Sequence, residues 1–128
     1  MNKNYNDLAL AILRIGFSGS MLTHGIPKLA KLTDSPIEFP DPLGVGPAFS
    51  LILTLIGEVV CPVLILIGFK TKWAAIPAAI TMLVAAFIVH APDDFGTKEK
   101  AILYLVAFIT IFLTGAGKFS LDGMLSKK

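Results

Sequence analysis

Residues 45–69 read VGPAFSLILTLIGEVVCPVLILIGF, a run in which Glu58 is the only charged residue. At about 1.5 Å of rise per residue, a helix of that length crosses the roughly 30 Å hydrocarbon layer of a bilayer. The same test picks out three more runs: Leu8 to Ile26, Trp73 to His90 and Ala101 to Gly117. The chain has 128 residues, 55% hydrophobic and 16% charged, and its mean hydropathy is +0.77. Little is left over for a soluble domain. The expected fold is all-α, a polytopic membrane four-helix bundle forming one domain over residues 1–128, with helices at about 8–27, 45–69, 73–90 and 100–117.

The first run has features of a secretory signal, with Lys3 before it and Ser18, Gly19 and Ser20 within it. Its length and the internal Arg14 argue instead for a retained helix. Four spans put both termini on one side. That side then carries Lys3, Lys70, Lys72, Lys118, Lys127 and Lys128 against Lys28, Lys31, Lys98 and Lys100 opposite, a bias that predicts cytoplasmic termini.

The short connection from Gly68 to Trp73 makes the second and third helices antiparallel neighbours. Between Lys31 and Gly46, Pro36, Pro40 and Pro42 forbid a regular helix, and Ile37 and Phe39 lie among them. This segment reads equally as a structured loop over the bundle mouth or as a solvated linker. Thr97 is the expected N-cap of the fourth helix, with Glu99 favouring its positive end.

Arg14 and Glu58 each stand alone inside an apolar run. An isolated ion in hydrocarbon costs at least ~2.5–3.5 kcal/mol, so such residues pair, face a cavity or carry function. Arg14 falls about 5 Å inward of its helix midpoint and Glu58 close to its own, a gap that a guanidinium spans. A buried Arg14–Glu58 ion pair is therefore expected. It either orders a polar cavity for an anionic or quinone-like ligand or simply fixes how two helices pack. Pro62 removes the hydrogen bond due to the Glu58 carbonyl, leaving a free acceptor at the same depth.

His24 lies roughly 15 Å further along the first helix, and His90 closes the third at the same surface. Such a pair could relay protons or ligate a metal or haem, but histidines at helix ends more often serve as interfacial hydrogen-bonding groups, so no metal or haem is expected at His24 and His90. Tyr104 either belongs with Trp73 to an aromatic belt or turns its hydroxyl into the bundle. Ala75, Ala79, Met82, Ala86 and His90 form a stripe suited to close helix packing.

Several chemistries are excluded. Cys61 is the sole cysteine, so thiol redox work would need a partner. There is no G-x-S-x-G, H-E-x-x-H, phosphate loop or dinucleotide fingerprint. A net charge of +2 without a basic, aromatic-interleaved patch gives no case for nucleic acid.

Taken together, Arg14 with Gly16, the run His24-Gly25-Ile26-Pro27-Lys28-Leu29, Glu58, Leu66-Ile67-Gly68-Phe69-Lys70-Thr71, Met82, Glu99 before Tyr104, and Gly115-Ala116-Gly117-Lys118-Phe119-Ser120-Leu121-Asp122 resemble the DoxX family of small four-helix bacterial and archaeal membrane proteins. The resemblance implies a plasma-membrane protein tied to redox chemistry. Founding members look like subunits associated with thiosulfate:quinone oxidoreductase, and a relative joins a membrane complex with superoxide dismutase and a thiosulfate sulfurtransferase. It matches Arg14, His24, Glu58 and Glu99 to the family's polar signature. The expected role is a redox-associated subunit of a thiol:quinone or thiosulfate:quinone oxidoreductase, with Arg14, His24 and Glu58 in the chemistry. Arg14, Glu58, His24, Tyr104 and Glu99 would face the quinone, no metal would be bound, and electrons would come from a soluble partner. The alternative is a non-catalytic scaffold that recruits a soluble redox enzyme, and either form could assemble as a homo-oligomer.

Overall fold

The computed structural model describes residues 3–126, so Lys127 and Lys128 of the terminal-side charge lie outside the described residues. Among those residues every regular element is helical and none is a strand. Helix α1 (Lys3–Gly25) continues as a 3-10 helix, Ile26–Thr33, with Pro27 near its start, where the missing N–H is harmless. Helix α2 (Pro47–Leu55), a π-helical turn (Ile56–Val60) and α3 (Cys61–Ile67) form one rod. Helix α4 (Thr71–Val84) runs into a second π-helical turn, Ala85–Val89. Helices α5 (Phe95–Thr114) and α6 (Leu121–Ser126) complete the chain.

Three rods, Tyr5–Thr33, Pro47–Ile67 and Thr71–Val89, are long and apolar enough to cross a membrane. The fourth long helix, α5, carries Lys98, Glu99 and Lys100 in its opening turns, which shortens its apolar stretch. Large apolar side chains cover the outside of the bundle, including Ile12, Val60, Leu83 and Leu113. Helices that are apolar on every side suit a lipid surround. The chain is a multi-pass membrane protein of the all-α class. Helix α4 packs most extensively on α5, and buried Ala75, Ala78 and Met82 of α4, with Ala86 of the π-helical turn that follows, let Tyr104, Phe108 and Ile111 approach closely. Trp73 is 74% exposed, as suits a belt residue.

The π-helical turn at Ile56–Val60 follows from Pro62. Without an N–H to satisfy the Glu58 carbonyl, the ladder widens by one residue, and the Cys61 N–H donates to the Ile56 carbonyl. Two glycines fit this turn between its neighbours. A Cβ on Gly25 would strike the Glu58 carbonyl, and one on Gly57 would strike the Thr81 side chain. Glu58 is thus held where α1 and α4 come closest to the turn.

The prolyl segment, residues 34–46, folds over the bundle mouth. The Asp41 carboxylate accepts hydrogen bonds from the backbone N–H groups of Val45 and Gly46 at 2.9 and 2.8 Å and from the Ser50 hydroxyl at 2.7 Å. Those donors, Ser50 first, hold its carboxyl below the usual carboxylate range.

At the opposite end, α3 closes with a Schellman motif. Phe69 N–H donates to the Leu64 carbonyl and Gly68 N–H to that of Ile65, with Gly68 at φ 75°. Asp122 returns from the C-terminal segment to accept the N–H groups of Lys70 and Thr71 at 2.8 and 2.9 Å, capping α4. Burial pushes its carboxyl up, but the Thr71 and Lys70 hydrogen bonds and the Lys70 charge outweigh that and hold it below the usual range. The folded state therefore favours the ionised form. The stabilisation is complete above the ordinary carboxylate range and disappears as pH falls through the depressed folded value. Asp122→Ala should cost about 1 kcal/mol at neutral pH, and acid should narrow the gap between variant and parent in thermal unfolding. A gap constant with pH would contradict the cap.

The N-cap of α5 differs from the sequence expectation. Asp94 takes that position, accepting the Thr97 N–H at 3.1 Å and its hydroxyl at 2.9 Å, so the helix begins at Phe95 rather than after Thr97. Both residues are competent caps, but Asp94 has extended backbone and Thr97 lies one turn inside.

Candidate functional site

Arg14 and Glu58 do not meet. Arg14 is 3% exposed, and its guanidinium is consumed by backbone carbonyls. Nε donates to Ile65 O at 2.8 Å, Nη1 to Ala116 O at 2.9 Å, and Nη2 to Leu66 O at 3.2 Å and Phe119 O at 3.1 Å. Ile65 and Leu66 lie in the last turn of α3, where carbonyls lack helical partners and a cation is favoured by the helix dipole. The expected Arg14–Glu58 ion pair is replaced by a staple joining α1, the end of α3 and the C-terminal segment.

Glu58 pairs instead with Lys28, whose Nζ stands 2.7 Å from Oε1; the side chains are 32% and 7% exposed respectively. Lys28 lies on the 3-10 extension of α1, on the loop side of the bundle. Its four-carbon stem carries the ammonium back to a carboxylate that a longer rod had placed at mid-depth.

This ion pair sits where two cavities adjoin. The larger, about 480 Å³, lies among α2, α4 and the folded loop. Its polar lining is Lys28, Ser50, Thr54, Glu58, Thr81 and His90, and the rest is apolar, with Phe39, Pro40, Pro42 and Leu43 from the loop. Its volume is within the ~300–1,000 Å³ usual for small-molecule sites, and such sites are likewise mostly apolar with few polar groups. The smaller, about 150 Å³, is more polar and includes His24, Lys28, Glu58, His90, Thr97, Lys100 and Tyr104.

His24 and Tyr104 therefore come together, with ring centroids 5.9 Å apart in an edge-on arrangement at 83°. Tyr104 is buried, in contact with Phe17 and Phe108, and belongs to the bundle interior rather than to a belt. His90 lines both cavities, its Nδ1 2.8 Å from Asp93 Oδ2. Two expected site residues fall elsewhere. Arg14 lines neither cavity, and Glu99 is exposed on α5 and lines neither. Among the described residues no group of three or more His, Cys, Asp or Glu side chains is placed to hold a metal.

Sequence reasoning missed Lys28, Thr97 and Lys100. Lys28 follows His24 by four residues, and Thr97, Lys100, Ala101 and Tyr104 repeat at three- and four-residue spacing, so each set shares one helix face with a residue already singled out.

A model of one protein family, DoxX, matches residues 9–91. The chain belongs to the DoxX family. The stretch that carries this DoxX match holds Arg14, His24, Lys28, Glu58 and His90, while the α5 residues of the small cavity lie beyond it. Two Haemophilus influenzae relatives of this DoxX chain bear the name "Uncharacterized protein". One is 26% identical over 95% of this chain and 86% of its own length, the other 30% identical over 98% and 97%. The "Inner membrane protein YqjF" of Escherichia coli is 26% identical over 98% of each chain. No solved structure matches.

Proposed function

We propose that this DoxX-family protein is a redox-associated inner-membrane subunit that binds a quinone in the larger cavity, with Lys28 and Glu58 as its polar contacts. The observation that carries this reading is a sizeable apolar cavity with one ammonium–carboxylate pair on its wall. The residues fit the group: apolar walls suit a prenylated ring, and Lys28 can donate to a ring oxygen in a site of low dielectric. When bound, a quinone would accept two electrons and two protons. Lys28 orients the ring and Glu58 holds the ammonium in place. His24, across the pair, is suited to exchange protons with the carboxylate.

Electrons come from a soluble thiol- or thiosulfate-oxidising partner, because Cys61 is buried and has no second cysteine. An inner-membrane location follows the name of the Escherichia coli relative, and the lysine bias favours cytoplasmic termini. The turning of Phe39 into the cavity wall favours ligand binding over a scaffold that would present Phe39 to a partner.

The test is purification in mild detergent, followed by lipid extraction and titration with a short-chain quinone. The native protein should retain quinone and bind the analogue saturably, and Lys28→Met should weaken binding about tenfold, as expected for loss of one charged hydrogen bond. Native protein free of quinone and without saturable binding would overturn the assignment.

A further inference from the structure

The two cavities differ in polarity but share Lys28, Glu58, Ala85 and His90. A line of titratable groups descends through the smaller one. The His90–Asp93 pair stands at the loop-side rim with side chains 39% and 42% exposed. His24 lies half-buried within, and Glu58, at 7%, ends the line. We infer that the small cavity is a proton inlet, carrying protons from the loop-side aqueous phase to Glu58 for use in the larger cavity. Only the final destination rests on the quinone reading.

The charges around Glu58 select for protons. Lys28 and His24 face it from α1 and its extension, His90 from the end of the α4 rod, and Lys100 and Tyr104 from α5. Two ammonium groups repel metal cations, whereas an imidazole can pass a proton by accepting it at one ring nitrogen and releasing it from the other. The π-helical turns supply the geometry. One presents Glu58, and the other places Ala85 on both cavities and delivers His90 to their shared rim.

The transfer balances at the ion pair. A proton arriving through the small cavity neutralises Glu58, Lys28 gives its own proton into the large cavity, and the Glu58 acid returns one to the Lys28 amine across their 2.7 Å contact. The pair ends as it began, with one proton moved and nothing oxidised or reduced.

The test needs no ligand. Protein in a lipid film is subjected to a step to acid pH while the carboxylic C=O infrared band is followed, with Glu58→Gln identifying the Glu58 contribution. Ala101→Phe places a ring in the small cavity without touching the large one. It should slow the Glu58 response about tenfold. His24→Gln, a smaller change, should also slow it and serves if Ala101→Phe loses its helicity. Native rates in both variants, or no Glu58 band at any pH where the protein stays helical, would overturn the inlet. Slowed exchange in a protein that binds no quinone would sink the ligand reading and leave the inlet standing.

Discussion

Arg14→Ala should be the most destabilising single change in this chain, with an expected loss on the order of 5 kcal/mol. Four carbonyls lose a charged donor at once. A hydrogen bond to a charged group contributes about 1.5–3 kcal/mol, and buried acceptors left unmade add a desolvation penalty. Water cannot replace the donor easily, because Arg14 is buried beneath the C-terminal segment. For a domain of this size the midpoint of thermal unfolding should fall by roughly 15 °C. Arg14→Lys should fall between, since an ammonium lacks the planar fork that reaches several carbonyls together. Quinone affinity in whatever fraction stays folded should match the parent, because Arg14 lines neither cavity. A variant with parental melting and lost ligand binding would return Arg14 to the site.

The misplacement of Arg14 shows which parts of this molecule a sequence exposes. The all-α class and the three rods long enough to cross a membrane follow from apolar run length, and depth along each rod follows from counting residues. Arg14 and Glu58 satisfied that count, but pairing also depends on how each rod is rotated and on what competes for each ion. The competitors for Arg14 are backbone carbonyls of Ile65, Leu66, Ala116 and Phe119, and a carbonyl has the same chemistry under every residue letter. The competitor for Glu58, Lys28, is visible in the sequence. Its position just past the apolar run gives it the character of an interfacial charge that sets topology, yet its stem lets it turn inward to Glu58. Pro62 carried the better signal. Its missing N–H implied a disturbed ladder at Glu58, and the π-helical turn is that disturbance in three dimensions. The loop remained ambiguous because proline density excludes helix without saying what the chain does instead. Asp41 settles it through contacts to Val45, Gly46 and Ser50.

Glu58→Gln should have the second largest effect, and its size depends on what remains opposite. The substitution keeps shape but leaves the Lys28 ammonium without its counter-ion, and breaking a fully buried pair costs ~3–5 kcal/mol. Lys28 keeps about a third of its side chain exposed, so the ammonium can recover some hydration and the expected loss is nearer 2 kcal/mol. Adding Lys28→Met to Glu58→Gln removes the stranded charge and should restore much of that stability, giving a double variant more stable than the single one. Ligand binding should not recover with it, because the double variant removes from the cavity wall the ammonium proposed to contact the quinone. Thermal unfolding and quinone titration on the two single variants and the double therefore separate the pair's structural contribution from its chemical one. A double variant as unstable as the sum of the singles would mean that Lys28 and Glu58 contribute independently, and would overturn the coupling that their 2.7 Å contact implies.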